Sequence, residues 1–128
     1  SLYNTPPVFA IYMVNKTLHW IKKQGGVEAI AKNNEAKAKV IYDVIDNSNG
    51  FYAGHADKDS RSFMNVTFRL PSEELEKKFV AEALENQLGG VKGHRSVGGM
   101  RASIYNAMPY EGCEKLADFM EKFRKANA

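Results

Sequence analysis

A single cysteine, Cys113, among 128 residues rules out a disulfide framework, and four prolines and ten glycines rule out a collagenous chain. No apolar run approaches the roughly 18–20 residues that a bilayer span needs, and residues 1–5 do not open a signal peptide. A membrane partner is therefore not expected, and the lone thiol fits a reducing, cytoplasmic setting. His19, His55 and His94 are scattered without ligand spacing, and one cysteine builds no zinc site, so no metal is expected. Phosphate-loop signatures are missing too: there is no G-x-x-x-x-G-K-[ST] segment, and no G-x-G-x-x-G follows a strand. What is present is 44% hydrophobic and 26% charged residues, the composition of a globular domain long enough to bury its own core.

Acid is absent where base is concentrated. Residues 90–108, GVKGHRSVGGMRASIYNAM, hold Lys92, Arg95 and Arg101 and none of the 15 Asp+Glu. Of the 18 Lys+Arg, 15 lie elsewhere and balance the acids, so the whole excess of +3 sits in this glycine-rich stretch beside His94. A focal charge of this kind suits a small anion better than a nucleic acid, whose partners spread their basic residues along a face.

The hydrophobic pattern predicts an α+β domain, a small, mostly antiparallel sheet packed by amphipathic helices. Thr5 is placed to cap a first helix with Pro6 at its first position, and Gly25-Gly26 stops it after about Gln24. That helix is apolar on two faces, Ile11, Val14, Leu18 and Ile21 on one and Phe9, Met13 and Trp20 on the other, which points to a missing neighbour. A second helix spans about residues 27–47, with Val27, Ile30, Ala31, Ala38, Ile41, Tyr42 and Ile45 at three- and four-residue steps. Residues 51–52 are read as the start of a strand. Residues 63–70 alternate, Met64, Val66, Phe68 and Leu70 against Asn65, Thr67 and Arg69, as a half-buried strand does. Ser72 caps a helix to about Leu88 with the stripe Leu75, Phe79, Val80, Ala83 and Leu84. Residues 91–94 and 101–105 read as short strands. Pro109 opens a last helix whose apolar stripe contains Cys113, which makes that thiol a core residue rather than a nucleophile.

Two arginines can each grip an oxyanion through paired N–H groups, and His94 can add a donor. Gly98 and Gly99 permit positive φ and let backbone come close to a ligand. Arg95 and Arg101 bracket this turn and can take opposite ends of one dianion. Asn4 and Thr5 precede a helix N-terminus, where anions bind, although Pro6 and Pro7 remove two of the amides that usually serve them.

The motifs GHRSVGGMRASIYNAM at residues 93–108, YNTPP at 3–7 and MNVTFRL at 64–70 are long and specific. On them the chain resembles the phosphoserine aminotransferases, a family of pyridoxal-phosphate enzymes within the class V aminotransferases. The resemblance covers essentially the whole chain but about the last third of such an enzyme. It implies that residues 1–25 form a helix linking to a missing large domain. Residues 26–128 are then the small domain, folded as the C-terminal domain of fold-type I pyridoxal-phosphate aminotransferases. It further implies a homodimer, pyridoxal 5'-phosphate as cofactor, and exchange of an amino group between glutamate and 3-phosphohydroxypyruvate to give 2-oxoglutarate and phosphoserine. That reaction serves serine biosynthesis and, in bacteria, often vitamin B6 biosynthesis.

By the same resemblance, Asn4 and Thr5 contact the cofactor phosphate across the dimer interface. His94 and Arg95 hold the substrate phosphate, or glutamate's distal carboxylate, and Arg101 pairs with the α-carboxylate. The lysine that anchors the cofactor belongs to the large domain, so no catalytic residue is assigned here and the chain alone is expected to be inactive. Two other readings stand beside this one, a self-sufficient small-anion-binding module and an RNA-binding domain with aromatics beside a basic strand. The charge balance outside residues 90–108 speaks against the second.

Overall fold

Tandem prolines set the first boundary. The computed structural model describes residues 3–128 and begins α1 (Val8–Lys23) with Pro7 as N-cap and no side-chain cap. The helix therefore starts two residues later than the sequence suggested, and Thr5 does not cap it. The ring of Pro7 disfavours helical torsion at the residue before it, which keeps Pro6 outside. Gln24 and Gly25, the latter at φ +97°, separate α1 from α2 (Gly26–Asp46), which opens on Gly26 at φ +85°. There follow β1 (Ala53–Gly54), a single 3-10 turn (Lys58–Ser60), β2 (Asn65–Arg69), α3 (Glu73–Glu85), β3 (Met100–Ser103) and α4 (Tyr110–Asn127). The chain forms two units, one ending at Asn33 and the other spanning Asn34–Ala128. In the first unit α1 buries none of its residues, and Phe9, Ile11, Met13, Val14, Leu18 and Trp20 are all exposed.

The second unit holds an antiparallel sheet in the order β1-β2-β3, with Val66 opposite Ala102 and Thr67 opposite Arg101. Because side chains alternate across a strand, this register sorts the two faces. Val66, Phe68, Met100 and Ala102 are buried, while Asn65, Thr67, Arg101 and Ser103 between them are half-buried. The apolar face joins one core with Ile41 and Ile45 of α2, Phe79 and Ala83 of α3, and Leu116, Met120 and Phe123 of α4. Phe79 lies at its centre, edge-on to Tyr52, Phe68, Phe119 and Phe123 at 5.0–6.2 Å between ring centroids. Cys113 is buried in the same cluster, as its place on the apolar stripe indicated. The fold is α+β.

Several boundaries differ from the sequence reading, each for a local reason. Pairing begins at Ala53, because Phe51 and Tyr52 turn their rings into the core. Residues 91–94 form no strand, and Lys92 alone bridges Met100. Beyond that bridge the carbonyl of His94 accepts the N–H groups of Val97 and Gly98, so the backbone curls into a turn. Leu84 is 68% exposed, whereas Phe79 and Ala83 of α3 are buried and Leu75 and Val80 pack against the core beside them. Val27 and Ala31 are also exposed, in the first turns of α2 that precede the second unit.

The Tyr52 hydroxyl donates to the carbonyl of Met120 (2.8 Å) inside this core. Burial, with the nearby Glu121 carboxylate, holds its pKa well above the ordinary tyrosine range. The folded chain thus keeps a proton that the unfolded chain releases near pH ~10, so stability falls as pH rises past that value. The buried Cys113 thiol, also raised by burial, adds a loss of the same sign from about pH 8.5. Lys37, whose pKa burial lowers, works in the opposite sense, so the check is the contrast between proteins: above pH ~10 the urea midpoint of Tyr52→Phe is expected to fall less steeply than that of the wild type. An unchanged slope in that variant would assign the alkaline limb to other groups.

Candidate anion-binding site

Glycine geometry shapes the site. Residues 93–99 form a closed loop in which the Gly93 N–H donates to the Gly99 carbonyl (2.8 Å) and Arg101 N–H donates to Val91 (2.8 Å). Gly98 and Gly99 sit at φ +76° and +67°, a region that side chains disfavour. Gly93 needs its missing side chain for a different reason, since a Cβ there would collide with the carbonyl of Gly98. The loop is therefore a backbone shape that only this pattern of glycines accommodates.

Two hollows flank it. The larger, about 630 Å³, is lined by His94, Arg95 and Lys92, by Arg69 of β2, and by Lys77 with the carboxylates Glu73 and Glu76 of α3. The smaller, about 210 Å³, is lined by His55, Thr67, His94 and Arg101. The structure thus brings His94 together with Arg95 on one side of the loop and with Arg101 on the other. Asn4 and Thr5 belong to the first unit, where both are exposed and make no side-chain hydrogen bond among the described residues.

His94 is prepared as a donor. Its Nδ1 accepts the backbone N–H of Ser96 (3.3 Å) and lies 2.6 Å from the Ser96 hydroxyl. An Nδ1 used as acceptor places the ring proton on Nε2, the nitrogen left for a ligand.

The arginines divide by partner. Arg61 forks onto Asp46 at 2.6 and 2.9 Å, Arg124 pairs with Glu121 at 2.8 Å and Arg69 with Glu76 at 3.7 Å. Arg95 and Arg101 have no carboxylate partner among the described residues, and the buried Nε of Arg101 bonds nothing. The buried Nε atoms of Arg61 and Arg124 lack partners too, so what sets Arg95 and Arg101 apart is the absence of a carboxylate among the described residues, which leaves both guanidinium groups available to an oxyanion. Chemically, the loop offers the Arg95 fork and an imidazole N–H to anionic groups, and the adjoining β3 adds the fork of Arg101.

Sequence reasoning left out His55, Lys77 and Arg69 as companions of this loop. Arg69 was placed on the polar face of its strand, and that face is the one Arg101 occupies across the β2–β3 pairing. His55 carried no such signal, because it reaches the smaller hollow through the loop after β1.

The family profile described as Aminotransferase class-V matches residues 1–116. The phosphoserine aminotransferase of Bacillus subtilis (strain 168) is 62% identical over 99% of this chain and 35% of its own length. That of Lysinibacillus sphaericus (strain C3-41) is 62% identical over 98% of this chain and 34% of its own. The solved structure of phosphoserine aminotransferase from Bacillus circulans subsp. alkalophilus superposes with a TM-score of 0.93 at 60% identity, covering 100% of this chain and 36% of that one. A pyridoxal-phosphate-bound phosphoserine aminotransferase from Trichomonas vaginalis superposes at 0.84, with 41% identity over 93% of this chain and 34% of that one. The chain spans about a third of the length of the curated relatives it matches.

Proposed function

Because the chain belongs to the class V aminotransferases, we propose that it is the C-terminal part of a phosphoserine aminotransferase and supplies that enzyme's anion recognition. The reaction is the transfer of an amino group from glutamate to 3-phosphohydroxypyruvate, giving 2-oxoglutarate and phosphoserine. We place it in cytoplasmic serine biosynthesis, with a role in vitamin B6 biosynthesis through a related phosphorylated substrate. The observation that carries the reading is that Arg95 of the anion loop and Arg101 of the adjoining β3, alone among five arginines, lack a carboxylate partner among the described residues.

In this role Arg101 takes the α-carboxylate common to both amino acids with its planar fork. His94, through Nε2–H, and Arg95 take the group that differs, the substrate phosphate or the distal carboxylate of glutamate. The turn held by Gly98 and Gly99 keeps these donors at fixed separation, so one amino acid or keto acid bridges them with its reacting carbon between.

Pyridoxal phosphate, when bound, supplies the electron sink that amino-group transfer requires. The residues of this chain fit a contact with its phosphate: Asn4 and Thr5 are exposed, offer amide and hydroxyl donors, and are not consumed in capping α1. We assign them to the cofactor phosphate of the partner protomer in a homodimer. Residues 1–25 are then the helix that leads in from the large domain, and residues 26–128 the small domain. The exposed apolar faces of α1, Phe9 and Trp20 among them, are the surfaces that the large domain would cover.

The full-length protein supplied with pyridoxal phosphate is expected to form 2-oxoglutarate from glutamate and 3-phosphohydroxypyruvate. The 128-residue chain alone is expected to form none above free cofactor, because the anchoring lysine of the family lies outside it. Turnover by the isolated chain, with the cofactor attached to one of its lysines, would overturn this division of labour.

A further inference from the structure

The loop that presents His94 and Arg95 is tied to the sheet by a residue outside it. The Arg69 guanidinium, at the end of β2, donates through Nη2 to the carbonyl of Val97. Among the described residues it is the only side chain from outside residues 93–99 that hydrogen-bonds them. Glu76 of α3, itself largely buried, holds the same guanidinium at 3.7 Å from the other side. The two glycines of the turn lie directly over this side chain. A Cβ at Gly98 would stand 3.4 Å from both Nη atoms of Arg69, and one at Gly99 would stand 3.2 Å from its Cγ and 2.9 Å from the Phe68 carbonyl. Positive φ at both positions lets the turn settle onto the arginine, and the arginine closes the turn from below.

We propose that Arg69 is a positioning residue for the anion loop, setting the place of Arg95 and His94 without binding the substrate itself. Arg69 lines both hollows, yet its charge is opposed by Glu76 and its fork is engaged by Val97, whereas Arg95 has neither partner. The proposal deepens the functional reading above and rests on it for the identity of the ligand. The clamp itself stands on geometry alone.

The test replaces Arg69 by Met, which keeps an aliphatic stem beneath the glycines and removes the donor. In the full-length holoenzyme, KM for phosphoserine is expected to rise about 10-fold while kcat stays within about 2-fold, the effect of losing one charged hydrogen bond that organises binding. In an Arg95→Ala background the same replacement is expected to add less than about 3-fold, since only His94 is then left for the displaced loop to misplace.

Amide hydrogen exchange across residues 93–100 in the ligand-free 128-residue chain, with α4 as internal reference, is expected to quicken about 10-fold and to be largely restored by Arg69→Lys. Unchanged exchange, or effects of Arg69→Met and Arg95→Ala that simply multiply, would overturn the positioning role. If the wild-type holoenzyme fails to transaminate phosphoserine while the exchange responds, the functional reading falls and the clamp stands.

Discussion

Arg101→Ala in the full-length protein is expected to lower kcat/KM for phosphoserine and glutamate alike by about 30- to 1,000-fold, roughly 2–4 kcal/mol of transition-state binding. The size follows from what the side chain has and lacks. No acid neutralises it among the described residues, so under the proposed role a two-pronged contact with the substrate carboxylate would be its main charged interaction. Arg101→Lys keeps the charge but loses the fork, and is expected to recover only part of the loss. Arg95→Ala should behave differently, harming phosphoserine more than alanine, because a dianionic phosphate loses more than a substrate with no distal anion. Steady-state kinetics with phosphoserine, glutamate and alanine separate the two. Equal damage by both replacements toward phosphoserine and alanine would show that the roles of the two arginines are wrongly divided.

Lys37→Met is expected to destabilise the chain by about 2–4 kcal/mol, a drop of some 10 °C or more in Tm. Lys37 is fully buried, and its ammonium donates to the carbonyls of Ile104, Tyr105 and Met108 at 3.3, 2.8 and 3.1 Å. Burial holds its pKa below the usual lysine range. Methionine matches the stem in length and leaves three carbonyls without their donor, in a segment that links β3 to α4 and begins three residues after Arg101. The replacement is therefore expected to weaken substrate binding as well, through the strand end rather than through contact with substrate. Urea or thermal unfolding measures the first effect. Stability within about 0.5 kcal/mol of wild type would show that water satisfies those carbonyls as well as the ammonium does.

Much of this architecture is legible in the chain because it rests on local rules. Alternation in residues 65–69 fixes which side chains of β2 enter the core, and Ser72 caps α3 by accepting the Leu75 N–H at 3.2 Å. The glycine-rich stretch without acid marked the anion loop, since charge excess and positive-φ residues are properties of sequence as much as of shape. Asn34 and Lys37 were also visible in principle. They continue the three- and four-residue spacing of Ile30, Ile41 and Ile45, so two polar residues stood on a core stripe, a pattern that marks buried hydrogen bonding. Their partners were not visible. Asn34 meets Asn106 at 2.7 Å across 72 residues of chain, and no local rule reaches that far.

What the sequence determined by itself was the class of fold and the family, because periodicity, turn chemistry and motif are written residue by residue. The tertiary structure alone decided which arginines are free. Arg61, Arg69, Arg95, Arg101 and Arg124 look alike in sequence, and each was equally capable of binding an anion or merely balancing a charge. Packing brings Asp46 and Glu76 against two of them, Glu121 stands one helical turn before a third, and among the described residues Arg95 and Arg101 meet no carboxylate. An ion pair that joins separate elements, as Arg61–Asp46 and Arg69–Glu76 do, follows no spacing rule along the chain, so only the folded arrangement shows which of these arginines meet a carboxylate.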